Sequence, residues 1–316
     1  MTITQRIDAI TLVTADRYSA RPPAPKSVKI ELTGRCNYRC GFCALRTRKE
    51  QPTGDMDFDL FMRMTQQMRD AGVEEIGVFY LGESFMAPDL LVRAISWCKK
   101  IGFPYVFLTT NGSLCTWDRL AAVMAAGLDS LKFSVNAATP EQFVDVMGVK
   151  ARLYKDALDA IKRAREVRAA GKFKCGIYAS SINYDGAQQV AMEALLSERV
   201  RPYVDEHYWL PLYSMGSLAT QREAELGYKP TAGNQGRLGA LREPLPCWSA
   251  FTEGHVTADG YLSACCFDAD GRWRMGDLNQ QTFMEAWHSS EFAALREAHL
   301  RKDVSGTPCE ECVAYA

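Results

Sequence analysis

The chain has 316 residues, of which 37 are Lys or Arg, 38 are Asp or Glu, and 47% are hydrophobic. This composition excludes a mostly disordered protein and suits one large domain with, at most, a small appendage. The balanced charge and the absence of an apolar run of roughly 20 residues lead us to expect neither a nucleic-acid nor a membrane partner. The N-terminus lacks an apolar signal core, so we expect a cytoplasmic protein.

Short strand-like runs alternate with helical segments along most of the chain. Residues 1–26 form a leader segment that ends in a Pro-rich stretch, and the alternation begins at Ser27. The predicted strands are 27–33, 75–81, 105–111, 131–136, 172–181 and 206–213. Strands separated by helices at this spacing predict an α/β fold with a parallel sheet. Six units are too few for a closed eight-stranded barrel, so we expect a partial (β/α)6 TIM-like barrel over 27–216.

The alternation stops after the sixth unit. Residues 217–246 are rich in Gly, Pro and charged residues and are predicted to form a connector. Residues 247–316 then predict a small β-hairpin-plus-helix module, with the hairpin turn at Asp259–Gly260. Within this module we expect a single amphipathic helix over 282–302.

The 11 cysteines are unevenly placed. Three lie within residues 36–43 and five lie between 247 and 312. Secreted disulfide scaffolds are usually short and follow a signal peptide, and this chain has neither property. The clustered thiols therefore favour metal ligands. The isolated Cys98, Cys115 and Cys175 are expected to be structural.

The N-terminal triplet Cys36, Cys40 and Cys43 follows the first predicted strand. Active sites of such barrels lie at the C-terminal ends of the strands. Three thiolates on one tight loop can hold three irons of a [4Fe–4S] cluster and leave the fourth iron open for catalysis. A structural zinc site with a remote fourth ligand is the alternative, although zinc favours paired CxxC knuckles.

A second set, Cys247, Cys265, Cys309 and Cys312, offers four thiolates, which is a complete ligand set for a buried [4Fe–4S] cluster. Zinc held by the same four thiolates is the alternative, and spacing alone does not separate the two. Cys266 is left over. It is either a small buried residue beside the cluster or a donor of a hydrogen atom to a substrate radical.

The triplet resembles that of the radical S-adenosylmethionine (SAM) enzymes, with Phe42 as the aromatic residue before the third cysteine. After the second strand, Gly82, Glu83 and Ser84 resemble the GGE motif of this family, whose first glycine is here Leu81. Further polar residues stand where the family contacts SAM, at the ends of strands three and four: Asn111, Ser134 and Asn136. Each of these residues also has a structural interpretation as part of a turn or a helix cap.

The resemblance implies that SAM binds the open iron through its amino and carboxylate groups. Reductive cleavage of SAM would then give a 5′-deoxyadenosyl radical, with electrons from a flavodoxin- or ferredoxin-type donor. The C-terminal segment resembles the SPASM/Twitch auxiliary-cluster module in its short, one-cluster form. Its spacing is similar to that of the butirosin-pathway aminocyclitol dehydrogenase type. Two [4Fe–4S] clusters are therefore expected.

Side-chain alternation in the strands predicts a polar barrel interior, with Lys132 and Tyr178 as candidate catalytic residues and Glu31 and His207 as further candidates. The alternative is that these groups pair with one another. We expect a dehydrogenase or epimerase that acts on a small-molecule substrate, such as an amino sugar, an aminocyclitol or a similar alcohol, with the auxiliary cluster as a possible electron acceptor. The alternatives are a peptide-modifying enzyme of the same family and a non-catalytic iron–sulfur redox protein.

Overall fold

The computed structural model describes residues 1–43, 54–215, 229–268 and 273–312. Six parallel strands form the body of one sheet, in the order β6-β5-β4-β3-β2-β1. Their bounds are β1 Ser27–Ile30, β2 Glu75–Gly77, β3 Tyr105–Thr110, β4 Ser130–Ser134, β5 Gly176–Ile182 and β6 Glu206–Leu210. The predicted partial (β/α)6 barrel is confirmed, although all six strands are shorter than the sequence pattern indicates.

Helices connect these strands and cover the outer face of the sheet. After the N-terminal α1 (Ile3–Ile10) they are α2 Phe58–Asp70, α3 Pro88–Lys100, α4 Trp117–Ala125, α5 Pro140–Met147, α6 Arg152–Gly171 and α7 Gly186–Leu195. Side-chain caps fix several starts: Asp57 accepts a hydrogen bond from the Leu60 amide, and Thr116 does the same for Arg119. None of the helices in the described part of the chain is long and apolar enough to cross a membrane.

The alternation of side chains along each strand separates the helix-facing core from the barrel interior. Val28 and Ile30 of β1 are fully buried in the core, as are Leu131 and Phe133 of β4. The residues between them, including Lys29 and Lys132, point into the barrel and line its cavity. Cys175 belongs to the core, in agreement with its predicted structural role.

The leader segment closes the barrel at the beginnings of the strands. The Ile3 amide in α1 donates a hydrogen bond to Glu206 at 3.0 Å, and Arg6 forms a 2.5 Å ion pair with Glu75. Both acids are the first residues of their strands. Access to the interior therefore lies toward the opposite end, where the strands finish.

The C-terminal segment extends the barrel sheet. It contains α8 (Ser249–Thr252), β7 (Glu253–Val256), β8 (Tyr261–Ser263), β9 (Arg274–Asp277), α9 (Phe283–Trp287) and α10 (Ser290–Leu300). Strand β7 pairs in parallel with β1, and β8 and β9 follow antiparallel, giving a nine-stranded sheet. The predicted hairpin is confirmed, with Gly260 at a φ of 88° in its turn.

The C-terminal segment differs from the prediction in its helices. The single helix over 282–302 is wrong, because Ser289 caps a second helix by accepting a hydrogen bond from the Phe292 amide at 3.2 Å. The domain limits 27–216, 217–246 and 247–316 stay predictions, and residues 217–228 of the connector lie outside the described residues. The sheet itself continues without a break from β1 into β7.

Candidate functional site

The cysteine triplet lies on the loop that follows β1, and its three thiols are partly exposed. The end of α5 holds this loop: the Arg39 amide donates to the Met147 carbonyl at 3.0 Å, and the Gly41 amide donates to Val146 at 2.8 Å. Phe42 packs with Cys36 and Cys40 against a small apolar cluster built around Phe143. The loop is therefore anchored by its backbone, and it carries all three thiols as candidate ligands.

Glu83 joins the ends of β2 and β3 to this loop. Its carboxylate is 4% exposed and accepts hydrogen bonds from the Thr110 hydroxyl at 2.9 Å and the Asn111 amide at 2.8 Å. Burial raises the pKa of Glu83. Asn111 in turn donates from Nδ2 to Asn37 Oδ1, inside the triplet loop, at 2.8 Å. The structure thus brings together the triplet, Glu83 and Asn111, as the sequence predicts.

Gly82 stands where no side chain fits. A Cβ at this position would lie 1.9 Å from the Thr33 carbonyl oxygen, so the turn after β2 packs directly on the end of β1. The Gly82 amide donates to Glu31 Oε1 at 3.2 Å, and the other oxygen of Glu31 accepts from the Ala258 amide. Glu31, a further candidate for substrate contact, therefore binds backbone on both sides.

The remaining candidate SAM contacts divide into two groups. Ser134, Asn136 and Asn111 line one small cavity beside the triplet loop. Ser84 is 2% exposed and donates its hydroxyl to the Val78 carbonyl at 2.7 Å, so it stabilises its own turn. Asn136 also accepts from the Ile182 amide through Oδ1 at 2.9 Å. Asn111, Ser134 and Asn136 therefore share one cavity with Tyr38 of the triplet loop, and the other walls of that cavity are largely apolar.

The four cysteines of the second set line one small cavity in the C-terminal segment. Its thiols come from the start of α8, the end of β8 and the segment after α10: Cys247, Cys265, Cys309 and Cys312. The other walls are largely apolar and include Ala250, Ala264, Phe267, Trp273 and Leu295. Burial and the neighbouring thiols raise the pKa of Cys265 well above its ordinary value.

The four thiols are a donor set that fits an iron–sulfur cluster. Within the described ranges, no three His, Cys, Asp or Glu side chains converge closely enough to hold one metal ion. The four thiols instead stand around a shared space, and each thiolate of a [4Fe–4S] cluster binds a different iron at its own corner. The four thiols therefore match the ligand set of such a cluster, and zinc held by the same thiolates stays the alternative.

His299 on α10 links two of these cysteines. The Cys247 amide donates to His299 Nδ1 at 3.3 Å, and Nε2 lies 3.3 Å from Cys309 Sγ. The imidazole is 1% exposed. Sequence reasoning missed this residue because it has no metal-ligand spacing; its role depends on where α10 packs.

The barrel interior contains a cavity of about 220 Å³ between α1 and the ends of the strands. On its wall, Lys29 Nζ lies 2.9 Å from the Glu253 carboxylate, which also lies 2.9 Å from His255 Nε2. The Lys29 ammonium and His255 hold the pKa of Glu253 at about 2, against the opposing effect of its burial. Glu253 and His255 come from β7, so this site exists only because β7 joins the barrel sheet.

Lys132 lies in the same cavity, with its Nζ 5.7 Å from the centre of the Tyr208 ring. Burial, followed by the nearby Lys29 ammonium, lowers the pKa of Lys132 to about 7. In the part of the chain that the structure describes, no acidic side chain forms an ion pair with Lys132. A lysine in this state can accept a proton near neutral pH.

Cys266 connects the two regions. It lines the barrel cavity, it directly follows Cys265 in the chain, and its Sγ accepts a hydrogen bond from Asn234 Nδ2 at 3.3 Å. Tyr178 does not line this cavity; its hydroxyl folds back over Gly176, so close that a Cβ there would lie 2.4 Å away. His207 likewise lies outside and pairs with the Ser181 hydroxyl at 3.0 Å.

Comparison with known sequences finds two family matches. Residues 30–177 match the radical SAM superfamily, and residues 247–313 match the SPASM iron–sulfur cluster-binding domain. The tungsten-containing aldehyde ferredoxin oxidoreductase cofactor-modifying protein of Pyrococcus furiosus is 29% identical over 158 residues, which cover 48% of this chain and 42% of that protein. PqqA peptide cyclase of Gluconobacter oxydans is 30% identical over 153 residues, covering 48% and 40%. The chain thus spans less than half the length of either relative.

Comparison with solved structures finds the same fold. BtrN in complex with AdoMet and 2-DOIA superposes with a TM-score of 0.56 at 17% identity, covering 87% of this chain and 86% of BtrN. Streptococcus suis SuiB bound to precursor peptide SuiA gives a TM-score of 0.66 at 14% identity, covering 93% of this chain and 71% of SuiB. At these identities the likeness concerns the fold and not the substrate.

Proposed function

Because the chain belongs to the radical SAM superfamily and carries a C-terminal SPASM domain, we propose that it abstracts a hydrogen atom from a polar small molecule. The substrate class is an amino sugar, an aminocyclitol or a similar alcohol, and the outcome is dehydrogenation or epimerisation. The observation that supports this proposal is the barrel cavity, which both Lys132 and Cys266 line. Cys266 directly follows Cys265 of the predicted auxiliary site.

The proposal assigns the two cysteine sets to two [4Fe–4S] clusters. Cys36, Cys40 and Cys43 hold the catalytic one, and Cys247, Cys265, Cys309 and Cys312 hold the auxiliary one. Glu83, Asn111, Ser134 and Asn136 form the polar surroundings of SAM. When bound, these groups supply hydrogen-atom abstraction through a 5′-deoxyadenosyl radical and a centre that exchanges single electrons.

The chain itself supplies the proton chemistry and the enclosure. Conversion of an alcohol to a ketone requires loss of the carbon-bound hydrogen atom, the hydroxyl proton and one electron, and the auxiliary cluster would accept the electron. Lys132 accepts that proton, because its amine is substantially neutral near pH 7 and it opens on the cavity. Lys29, fixed by Glu253, keeps a positive charge beside it and so disfavours the protonated form of Lys132 before substrate binds.

Epimerisation uses the other cavity residue. In that outcome the substrate radical takes a hydrogen atom from a thiol on the face opposite to the abstraction. Cys266 is the thiol that lines the barrel cavity, and Asn234 fixes the position of its sulfur. The two outcomes share one cavity and differ in whether Lys132 or Cys266 acts on the substrate.

Peptide modification is the second candidate function. It is favoured by the similarity to PqqA peptide cyclase and to SuiB, which was solved with its precursor peptide. The closed end of the barrel argues for a small substrate, because α1 seals it through the Arg6–Glu75 ion pair. A peptide would have to place one side chain into the cavity from the open end.

The test is anaerobic turnover of the reconstituted protein with SAM and reductant in deuterated water. One panel contains amino sugars and aminocyclitols, and the other contains short peptides. We expect a product two mass units lighter for dehydrogenation, or one carrying carbon-bound deuterium for epimerisation, from the small-molecule panel only. Mass changes confined to the peptide panel would replace the first candidate by the second.

A further inference from the structure

The histidine on α10 contacts the second cysteine set through both of its ring nitrogens. Nδ1 of His299 accepts the Cys247 amide, and Nε2 faces the Cys309 sulfur, each at 3.3 Å. Both cysteines line the same small cavity. The side chain is 1% exposed, so water does not compete for either nitrogen.

The first contact determines where the ring proton lies. An amide N–H can donate only to a ring nitrogen that carries no proton. Nδ1 of His299 is therefore the acceptor, and the ring proton lies on Nε2. That N–H points at Cys309 Sγ, so the histidine donates a hydrogen bond to the sulfur.

We propose that His299 is a positioning residue that donates a hydrogen bond from Nε2 to the Cys309 thiolate and raises the reduction potential of the auxiliary cluster. Reduction adds negative charge to the cluster, and a donor aimed at a ligand sulfur stabilises the more negative state. This inference depends on the auxiliary-cluster assignment in the proposed function and is independent of the substrate. It adds to the proposed function a residue that sets how readily the auxiliary centre takes an electron.

Two substitutions separate the two hydrogen bonds. In His299→Asn the side-chain oxygen can still accept the Cys247 amide, but no donor reaches Cys309. In His299→Gln the longer side chain can place an amide N–H near the Nε2 position. His288→Asn is the matched control, because this histidine belongs to the same region and bonds the Pro22 carbonyl at 2.8 Å, outside the cysteine set.

The readout is the midpoint potential of the auxiliary cluster, followed by electron paramagnetic resonance. The titrations use the full chain in a Cys36→Ala/Cys40→Ala/Cys43→Ala background, so that one cluster remains. We expect His299→Asn to lower the potential by the equivalent of about tenfold in the one-electron equilibrium, or ~59 mV. His299→Gln should lie between Asn and the parent, and His288→Asn should match the parent.

Equal potentials in the parent and His299→Asn, with about four irons in each, would overturn the inference. If His299→Asn fails to retain iron, the reduced parent protein labelled with ¹⁵N-histidine decides. A weak ¹⁵N coupling, of the size expected through a hydrogen bond, supports the proposal. No coupling, or the strong coupling of a directly bound nitrogen, contradicts it. SAM cleavage by the unmutated triplet, measured in parallel, reports on the proposed function separately.

Discussion

The two cysteine sets of this protein are assembled in different ways. The triplet occupies eight residues of one loop, Cys36 to Cys43, which the end of α5 and the strand-end side chains Glu83 and Asn111 hold in place. The C-terminal set gathers thiols from separate segments around an enclosed cavity with largely apolar walls. All three thiols of the first set are partly exposed, whereas in the second set Cys247 and Cys312 are buried and Cys265 and Cys309 are partly exposed.

This difference suggests that the two sites serve different steps of the reaction. A mutation in one site should therefore leave the step at the other site intact. An open three-thiolate site leaves one coordination position for a reacting ligand, and a closed four-thiolate site leaves none. We therefore expect formation of 5′-deoxyadenosine to depend on the triplet side. The fate of the substrate should depend on the C-terminal side and on the barrel cavity that Cys266 lines.

The largest separation is expected from Cys265→Ala. Loss of one of four ligands should remove about half of the bound iron and bring product below detection, while 5′-deoxyadenosine still forms. Iron analysis and chromatography of both compounds measure the effect. Cys98→Ala is the control, because this thiol is buried in α3 away from both sets. Product formation by Cys265→Ala at the normal rate would show that the two sites do not divide the reaction in this way.

Lys132→Met tests the barrel cavity. Loss of a general base typically lowers the rate about 10²–10⁴-fold, and we expect this loss in product formation only. SAM cleavage without product should persist. Lys174→Met serves as the control, since Lys174 is exposed on the surface. If 5′-deoxyadenosine formation falls in parallel, Lys132 contributes to SAM cleavage and not only to conversion of the substrate.

Gly82→Ala should weaken SAM binding and leave the C-terminal cysteine set unchanged. The added Cβ meets the Thr33 carbonyl at 1.9 Å, so the turn after β2 must move away from β1. We expect SAM affinity to fall about tenfold, equivalent to ~1.4 kcal/mol, by equilibrium binding. Gly54→Ala, where no atom lies within 4 Å of the new Cβ, should leave affinity unchanged. Unchanged SAM binding in Gly82→Ala would remove this turn from the SAM site.

Lys29→Met should produce the smallest effect, a shift in pH dependence. Lys132 acts as a base only when neutral, so product formation should fall as the pH drops through about 7. Charged and titratable groups facing Lys132 are Lys29, Glu253 and Tyr208. Removing the Lys29 charge and exposing Lys132 to Glu253 both favour protonated Lys132, so its pKa rises.

The acid limb of the pH–rate profile for Lys29→Met should therefore move to higher pH, with the alkaline rate retained. Lys29→Arg keeps the charge and should keep the original limb. A limb that stays in place in Lys29→Met would show that Lys132 is not the titrating base. A limb that moves to lower pH would contradict the sign of the electrostatic coupling.

The parts of the fold that depend on local sequence patterns could be predicted. Strand alternation at Val28 and Ile30, or at Leu131 and Phe133, reports burial within a few residues, and the partial barrel follows from six such runs. The pairing of β7 with β1 has no such local signal, because it joins residues more than 220 positions apart. The helix break at Ser289 was missed because no Gly or Pro marks it in the sequence.

The same reasoning applies to the site. Motifs confined to one loop or turn, such as the triplet and Gly82–Ser84, are visible in the sequence. Tyr178 was a plausible inward residue, but alternation does not predict that its ring folds back over Gly176. Glu253, His255 and His299 acquire their positions only through the packing of β7 and α10, so composition and spacing alone could not identify them.

The central claim is that the triplet holds a SAM-cleaving cluster and the C-terminal set holds a second, independent one. Its most direct test is iron and 5′-deoxyadenosine after anaerobic reconstitution of wild type and Cys36→Ala/Cys40→Ala/Cys43→Ala. The account predicts about eight irons in the wild type, about four in the variant, and 5′-deoxyadenosine from the wild type only. About four irons in the wild type with none lost in the variant would contradict it, because the triplet would then hold no cluster.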